Sequence, residues 1–317
     1  MYIPCINYII NIDYNIMITF PWVDLPLHKF KTSDNATLFF YKRSASCNSK
    51  GTLLFLLGWS QGPNNWSPSL STNKYVNKYY DVYVLVMRGY NNIPDVTNNF
   101  VARYSKDVVE FIKSKNLNNV IPVTHSMGCS VIWDLIGLYG ESMFDGYVFV
   151  DQPIQVLVNP AYTIQQNLKL GSIFTTDALF GFYNTSAIGP AESAAARSAF
   201  ENTCFTPQFI TEHPNIYQKA LNGTLNYNYQ AANQVLFNHA CNNYDQILSR
   251  GLHKPALLIG GRVSIVPWQT VVNQKKYYKN AEVKIFEANQ GGSHSMYIEN
   301  YSLFNKYLNE FLIKRNK

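Results

Sequence analysis

Ser126 stands in the run Thr124-His125-Ser126-Met127-Gly128, between a continuous apolar stretch and a segment of helical spacing. A serine at such a junction becomes a nucleophile when a sharp turn lifts its hydroxyl clear of the sheet. That turn favours small residues two before and two after the serine, because larger side chains collide with the neighbouring strand and helix. Gly128 meets the demand and Thr124 departs from it mildly. A serine nucleophile also needs a base, and the base needs an orienting acid. The chain has six histidines, none at the H-x-x-x-H or H-E-x-x-H spacing of a metal site. Gly260-Gly261 and Gly291-Gly292 lack both the P-loop lysine and the dinucleotide pattern. Neither a metal nor a cofactor is expected.

Positioning such groups requires a rigid frame, and the chain alternates two kinds of segment. Thr52 to Leu57 is a continuous apolar run ended by Gly58, the pattern of a strand buried on both faces. Val82–Val86, Val120–Thr124, Gly146–Val150, Ala256–Ile259 and Val283–Phe286 read as further strands, after two shorter ones within His28–Lys42. Between them, helical spacing recurs within Asn65–Tyr79, Phe100–Lys115 and Met127–Tyr139, and near Thr270–Tyr278. A last amphipathic helix is expected over about Met296 to Lys314. This alternation predicts an α/β protein with a mostly parallel central sheet flanked by helices. The interval 152–250 breaks the rhythm and is too long for a loop. It contains helix-favouring stretches at Ala191–Phe200 and Tyr229–Phe237 and is read as a mostly helical lid over the carboxyl edge of the sheet. The domain reading is therefore a lead-in over 1–25, a core over 26–151 and 251–317, and a lid over 152–250.

The turn around Ser126 resembles the nucleophile elbow of the α/β-hydrolase superfamily, whose usual form is G-x-S-x-G. The resemblance covers about Phe30 to Leu312 and is specific at the elbow and at one histidine. Gly291-Gly292-Ser293-His294-Ser295-Met296 follows the last strand and precedes the last helix, as the family's catalytic histidine does. A lone loop histidine is most often a surface residue; this location makes His294 the expected base. The family's usual acid, in G-x-x-D after the seventh strand, is replaced here by Val263. A family variant carries the acid after the sixth strand instead, where Asp151 lies. An aspartate there commonly serves as a turn residue, but the loss at Val263 makes Asp151 the expected acid, with Asp245 and Glu287 as weaker stand-ins. The resemblance also implies an oxyanion hole of two backbone N–H groups, from Met127 and from Trp59 in Gly58-Trp59. Leu57 stands where the family usually has His, and Arg88-Gly89 is similar to a structural turn of the family without its preceding Asp.

What the resemblance implies is a serine hydrolase cleaving a carboxylic ester, less readily an amide or lactone, of a small to medium hydrophobic substrate. Two other readings share the fold. Cofactor-independent dioxygenases of hydroxylated N-heteroaromatics are similar in their G-W loop, their H-S-x-G elbow and their acid after the sixth strand. A catalytically silent ligand receptor is the other, motivated by the departures at Leu57, Val86 and Val263.

Composition narrows the remaining classes. The 317 residues carry a net charge of +6, yet only 15% are charged, against about 25% in typical domains. Asn fills 35 positions, so neutral amides take much of the polar surface. The densest basic run, Lys275, Lys276 and Lys279, reads as the solvated face of a helix, and no nucleic-acid footprint is expected. Five cysteines at wide spacing indicate reduced thiols rather than a disulfide framework. Met1 to Phe20 carries Asp13, has no basic leading region and is too interrupted to span a bilayer. A cytoplasmic location without a transmembrane segment is expected.

Overall fold

The computed structural model describes residues 27–90 and 98–315. The lead-in of residues 1–25 and Cys5 lie outside these. Eight strands form one sheet: β1 His28–Lys31, β2 Thr37–Arg43, β3 Thr52–Leu56, β4 Asp81–Val86, β5 Val120–His125, β6 Tyr147–Val150, β7 Ala256–Gly261 and β8 Ala281–Phe286. Their spatial order is β1-β2-β4-β3-β5-β6-β7-β8. The pairs β1–β2 and β2–β4 are antiparallel, and all the others are parallel. Every residue of β3, β5, β6 and β7 is buried, which explains their unbroken apolar runs. Alternate β3 residues face opposite layers: Leu54 and Leu56 pack into one core cluster, Leu53 and Phe55 into the other. At the edge, β8 keeps Glu282 and Lys284 half exposed, as an edge strand requires.

Helices cover both faces. The helix expected within Asn65–Tyr79 is broken into α1 (Ser67–Thr72) and α2 (Lys74–Tyr79). The Asn73 side chain accepts from the Val76 amide at 3.0 Å, so a cap interrupts the pattern that periodicity read as continuous. α3 (Val101–Ser114) and α4 (Met127–Tyr139) follow their expected spans closely. Between β6 and β7 run α5 (Ile164–Leu170), α6 (Thr176–Ser186), α7 (Pro190–Thr203), α8 (Pro207–Glu212), α9 (Pro214–Leu225), α10 (Tyr229–Ala240) and α11 (Asp245–Leu248). Local punctuation defines these helices. Thr163, Thr175, Thr206 and Asn228 cap with their side chains, and Pro opens α7, α8 and α9.

After β7 come α12 (Trp268–Gln274), α13 (Met296–Glu299) and α14 (Tyr301–Arg315). The single terminal helix expected from Met296 is thus two, because Asn300 (φ −132°, ψ 60°) leaves helical geometry and its side chain accepts from the Leu303 amide. Lys275 and Lys276 lie in a short 3-10 turn and Lys279 beyond it, all three exposed.

At the end of β4, Arg88 is buried and pairs with Asp107 of α3 at 2.6 Å and with Asp34 of the β1–β2 turn at 2.8 Å. Its neighbour Gly89 has φ +82°, and a Cβ there would meet Ala231 and Tyr227 at 2.6 Å. Cys129, Cys204 and Cys241 are free thiols. Among the described residues no helix is long and apolar enough to cross a membrane.

Candidate active site

β5 runs straight into α4 through Ser126, whose backbone (φ 51°, ψ −131°) lies outside the regions non-glycine residues favour. Such strain persists only where the surroundings impose it. Here the Ser126 amide donates to the Val150 carbonyl at 2.9 Å, and the Cys129 amide returns to the Ser126 carbonyl at 2.7 Å. Gly128 is required by close approach: a Cβ there would stand 2.7 Å from the Leu57 carbonyl oxygen. Thr124, where a glycine is usual, is accommodated because its buried hydroxyl lies 3.3 Å from the Val148 carbonyl on β6 and 3.1 Å from Cys129 Sγ.

Asp151 ends β6 with φ 55° and its amide donates to the Ile259 carbonyl at 2.8 Å. His294 lies in the loop between β8 and α13, and its Nδ1 is 2.7 Å from Asp151 Oδ2. Both side chains are almost fully buried. Burial pushes the Asp151 carboxyl up from its ordinary range, while the hydrogen bonds from His294 and Ser264 pull the other way. Ser264 donates to the same Oδ2. Ser126 and His294 line one pocket, with no hydrogen bond between their side chains among the described residues.

The turn after β3 forms a further wall. Trp59 is buried against the pocket, and its indole Nε1 donates to the Ala232 carbonyl of α10 at 2.8 Å. Its ring packs edge-on against Phe182 and Phe200, with centroids 5.6 and 5.5 Å away. Gly58 permits the backbone to approach the elbow, since a Cβ there would lie 3.0 Å from Ser126 Cβ. Met127 opens α4 and is wholly buried. The amides of Trp59 and Met127 have no acceptor among the described residues.

Val263 is half exposed on the surface. The two stand-in acids lie elsewhere: Asp245, on α11, accepts from the Tyr277 hydroxyl, and Glu287 pairs with Arg262 at 3.1 Å on the surface.

Several residues around the site were given no role by the sequence. His125, next to the elbow serine, is fully buried and pushed well below the usual histidine range by burial and by the neighbouring His294. Its Nε2 lies 2.9 Å from the His294 carbonyl oxygen and its Nδ1 2.8 Å from Gln61 Oε1, so the ring bridges that loop and the turn after β3. Glu299 ties the same loop to α8, accepting from Ser293 Oγ and the Thr206 amide, both at 2.6 Å. The only available signal was proximity: Gln61, His125 and Glu299 lie within five residues of a candidate residue, and Ser264 follows Val263, where the family's usual acid is replaced.

The pocket encloses a cavity of about 40 Å³, smaller than the usual small-molecule site. Loops of the sheet supply Trp59, Ser126, Ile265 and His294; the helices between β6 and β7 supply Phe200, Glu201, Leu236 and His239.

No protein-family model matches the sequence, and no curated protein matches it. Solved structures do match. A bromoperoxidase from Bacillus anthracis superimposes with a TM-score of 0.76 at 16% identity, covering 90% of this chain and 99% of that one. An esterase from Exiguobacterium antarcticum gives 0.75 at 14% identity, covering 89% and 98%. The enol-lactonase from Burkholderia xenovorans gives 0.75 at 13% identity, covering 90% and 100%. Similarity over nearly the whole of both chains, with the strand order and strained turn described above, shows that this chain has the α/β-hydrolase fold.

Proposed function

We propose that the protein is a serine hydrolase cleaving a carboxylic ester, and less readily an amide or lactone, of a small to medium and largely apolar substrate. The observation that carries this reading is the 2.7 Å contact of His294 Nδ1 with the buried Asp151, in a pocket that also holds Ser126 on its strained turn. Esterases and a lactonase among the structural neighbours support the same reaction class.

In this mechanism Ser126 Oγ attacks the ester carbonyl carbon while His294 Nε2 takes its proton. Asp151 holds the imidazole in the tautomer that leaves Nε2 free and stabilises the imidazolium that forms. The Trp59 and Met127 amides donate to the tetrahedral oxyanion. Collapse breaks the bond to the leaving oxygen, which receives the proton from His294. Water then repeats the sequence on the acyl-enzyme, releasing the acid and restoring Ser126. The serine and histidine need not be bonded without substrate, since such contacts tighten in the reacting complex. The helices over 152–250 act as a lid: they wall the pocket with apolar side chains and exclude water from it.

Labelling with a fluorophosphonate probe and hydrolysis of a nitrophenyl ester test the proposal. Wild type is expected to label and turn over, and Ser126→Ala to do neither. Asp151→Asn is expected to fold but lose about 10³–10⁴-fold in kcat. Folded wild-type protein that neither labels nor hydrolyses would sink the reading.

A further inference from the structure

The wall that α7 turns towards the pocket carries a carboxyl group that the hydrolytic mechanism does not use. Glu201 is 3% exposed and lines the same cavity as Ser126 and His294. Its Oε2 is held by the Thr224 hydroxyl at 3.3 Å, while its Oε1 is buried with no hydrogen-bond partner among the described residues. A cation stands one helical turn away and is committed elsewhere: Arg197 Nη1 donates to the carbonyls of Thr224 and Tyr227 at 2.8 and 3.0 Å. A buried carboxyl oxygen left without a donor is costly, so the group is expected to find its partner in whatever fills the pocket.

Two more buried polar atoms of the lining lack a partner in the same way, His239 Nδ1 and Gln152 Oε1. The cavity is therefore not a plain hydrocarbon slot.

We propose that Glu201 is a specificity-determining residue whose Oε1 hydrogen-bonds a hydroxyl group on the substrate, so that hydroxylated esters are preferred over their plain alkyl counterparts. This deepens the hydrolase reading and rests on it for the ester. A hydroxyl suits the site better than an ammonium group. The neighbouring lining is apolar (Phe174, Phe200 and Cys204), and a neutral donor enters it with less desolvation than a cation. Burial also pushes the Glu201 carboxyl up to about 7. Near neutrality it is therefore protonated about as often as ionised, and in either form it can bond a hydroxyl.

The test reads binding, so that it stands apart from turnover. Titration calorimetry on Ser126→Ala would compare nitrophenyl butanoate with its monohydroxylated isomers. At least one isomer is expected to bind about 10-fold or more tightly than butanoate itself. In Ser126→Ala with Glu201→Leu, that preference is expected to fall below about 2-fold. Glu201→Gln, which keeps the shape of the side chain, is expected to retain part of it and serves where the Leu variant folds poorly. No preferred isomer, a preference above about 2-fold in Glu201→Leu, or an undiminished preference in Glu201→Gln overturns the proposal. Absence of turnover by wild type would instead remove the hydrolase reading and leave the binding preference to be judged on its own.

Discussion

Ser264 and Glu201 act at the scale of single side chains, and each makes a measurable claim. Ser264 donates to the carboxylate oxygen of Asp151 that also meets His294. A hydrogen bond to a charged group is worth about 1.5–3 kcal/mol. Ser264→Ala is expected to lower kcat on a nitrophenyl ester about 10-fold at nearly constant KM, and Ser264→Thr to restore most of it. A change confined to KM would show that Ser264 does not orient the Asp151–His294 pair.

Glu201 links the pocket to stability. Its carboxyl is held up at about 7 in the fold against an ordinary value of 4.5, because burial disfavours its charged form. Between those values the unfolded chain has released a proton that the fold keeps, so stability falls as pH rises from 4.5 to 7 and then levels. The full effect is about 3 kcal/mol. Glu201→Gln is therefore expected to melt higher than wild type at pH 8 and about equally at pH 4; equal melting at both would refute it. His239 slopes the opposite way. Burial holds it down to about 4 from 6.5, so its contribution is lost as pH falls through that window.

Among elements, the junction of β4, α3 and the β1–β2 turn is held by two cations, Arg88 and Arg103. Arg88 meets Asp107 and Asp34, and its carbonyl accepts from the Tyr104 and Tyr227 hydroxyls. Arg103 meets the same two carboxylates, Asp34 at 3.1 Å and Asp107 at 2.9 Å, so loss of Arg88 leaves them partly compensated and costs less than the about 3–5 kcal/mol of an unpaired buried charge. Arg88→Ala is expected to lower the unfolding free energy by about 1–3 kcal/mol. A loss below about 1 kcal/mol would mean that Arg103 alone compensates Asp107. The Arg88-Gly89 pair was legible as a turn in the sequence. Its ion pairs were not, because Asp34 and Asp107 lie 54 and 19 residues away.

For the molecule as a whole, the sheet and the helices between β6 and β7 meet across the pocket. Trp59 joins them by its indole bond to the Ala232 carbonyl and by its contacts with Phe182 and Phe200. Trp59→Phe keeps most of the ring but removes the donor. It is expected to cost about 1 kcal/mol and to speed hydrogen exchange in α10 while leaving β3 and β5 protected. Uniform loss of protection would place Trp59 in the global core instead of the hinge between the two layers.

The sequence by itself determined the order and identity of the strands, because buried parallel strands are continuous apolar runs whose signal is local. It also singled out Ser126 by its turn, and Asp151 and His294 by resemblance to the places where α/β-hydrolases carry their acid and base. Helix boundaries were less legible where a side-chain cap interrupts the pattern, as Asn73 and Asn300 do. Only the tertiary structure decided which residues support those three. Ser264 reaches Asp151 across 113 positions and His125 reaches the His294 carbonyl across 169. Only folding could reveal Glu201 as a buried carboxyl facing the pocket, for in sequence it is one acidic residue on a helix near an arginine. Which of its neighbours it bonds depends on distances that no local pattern encodes.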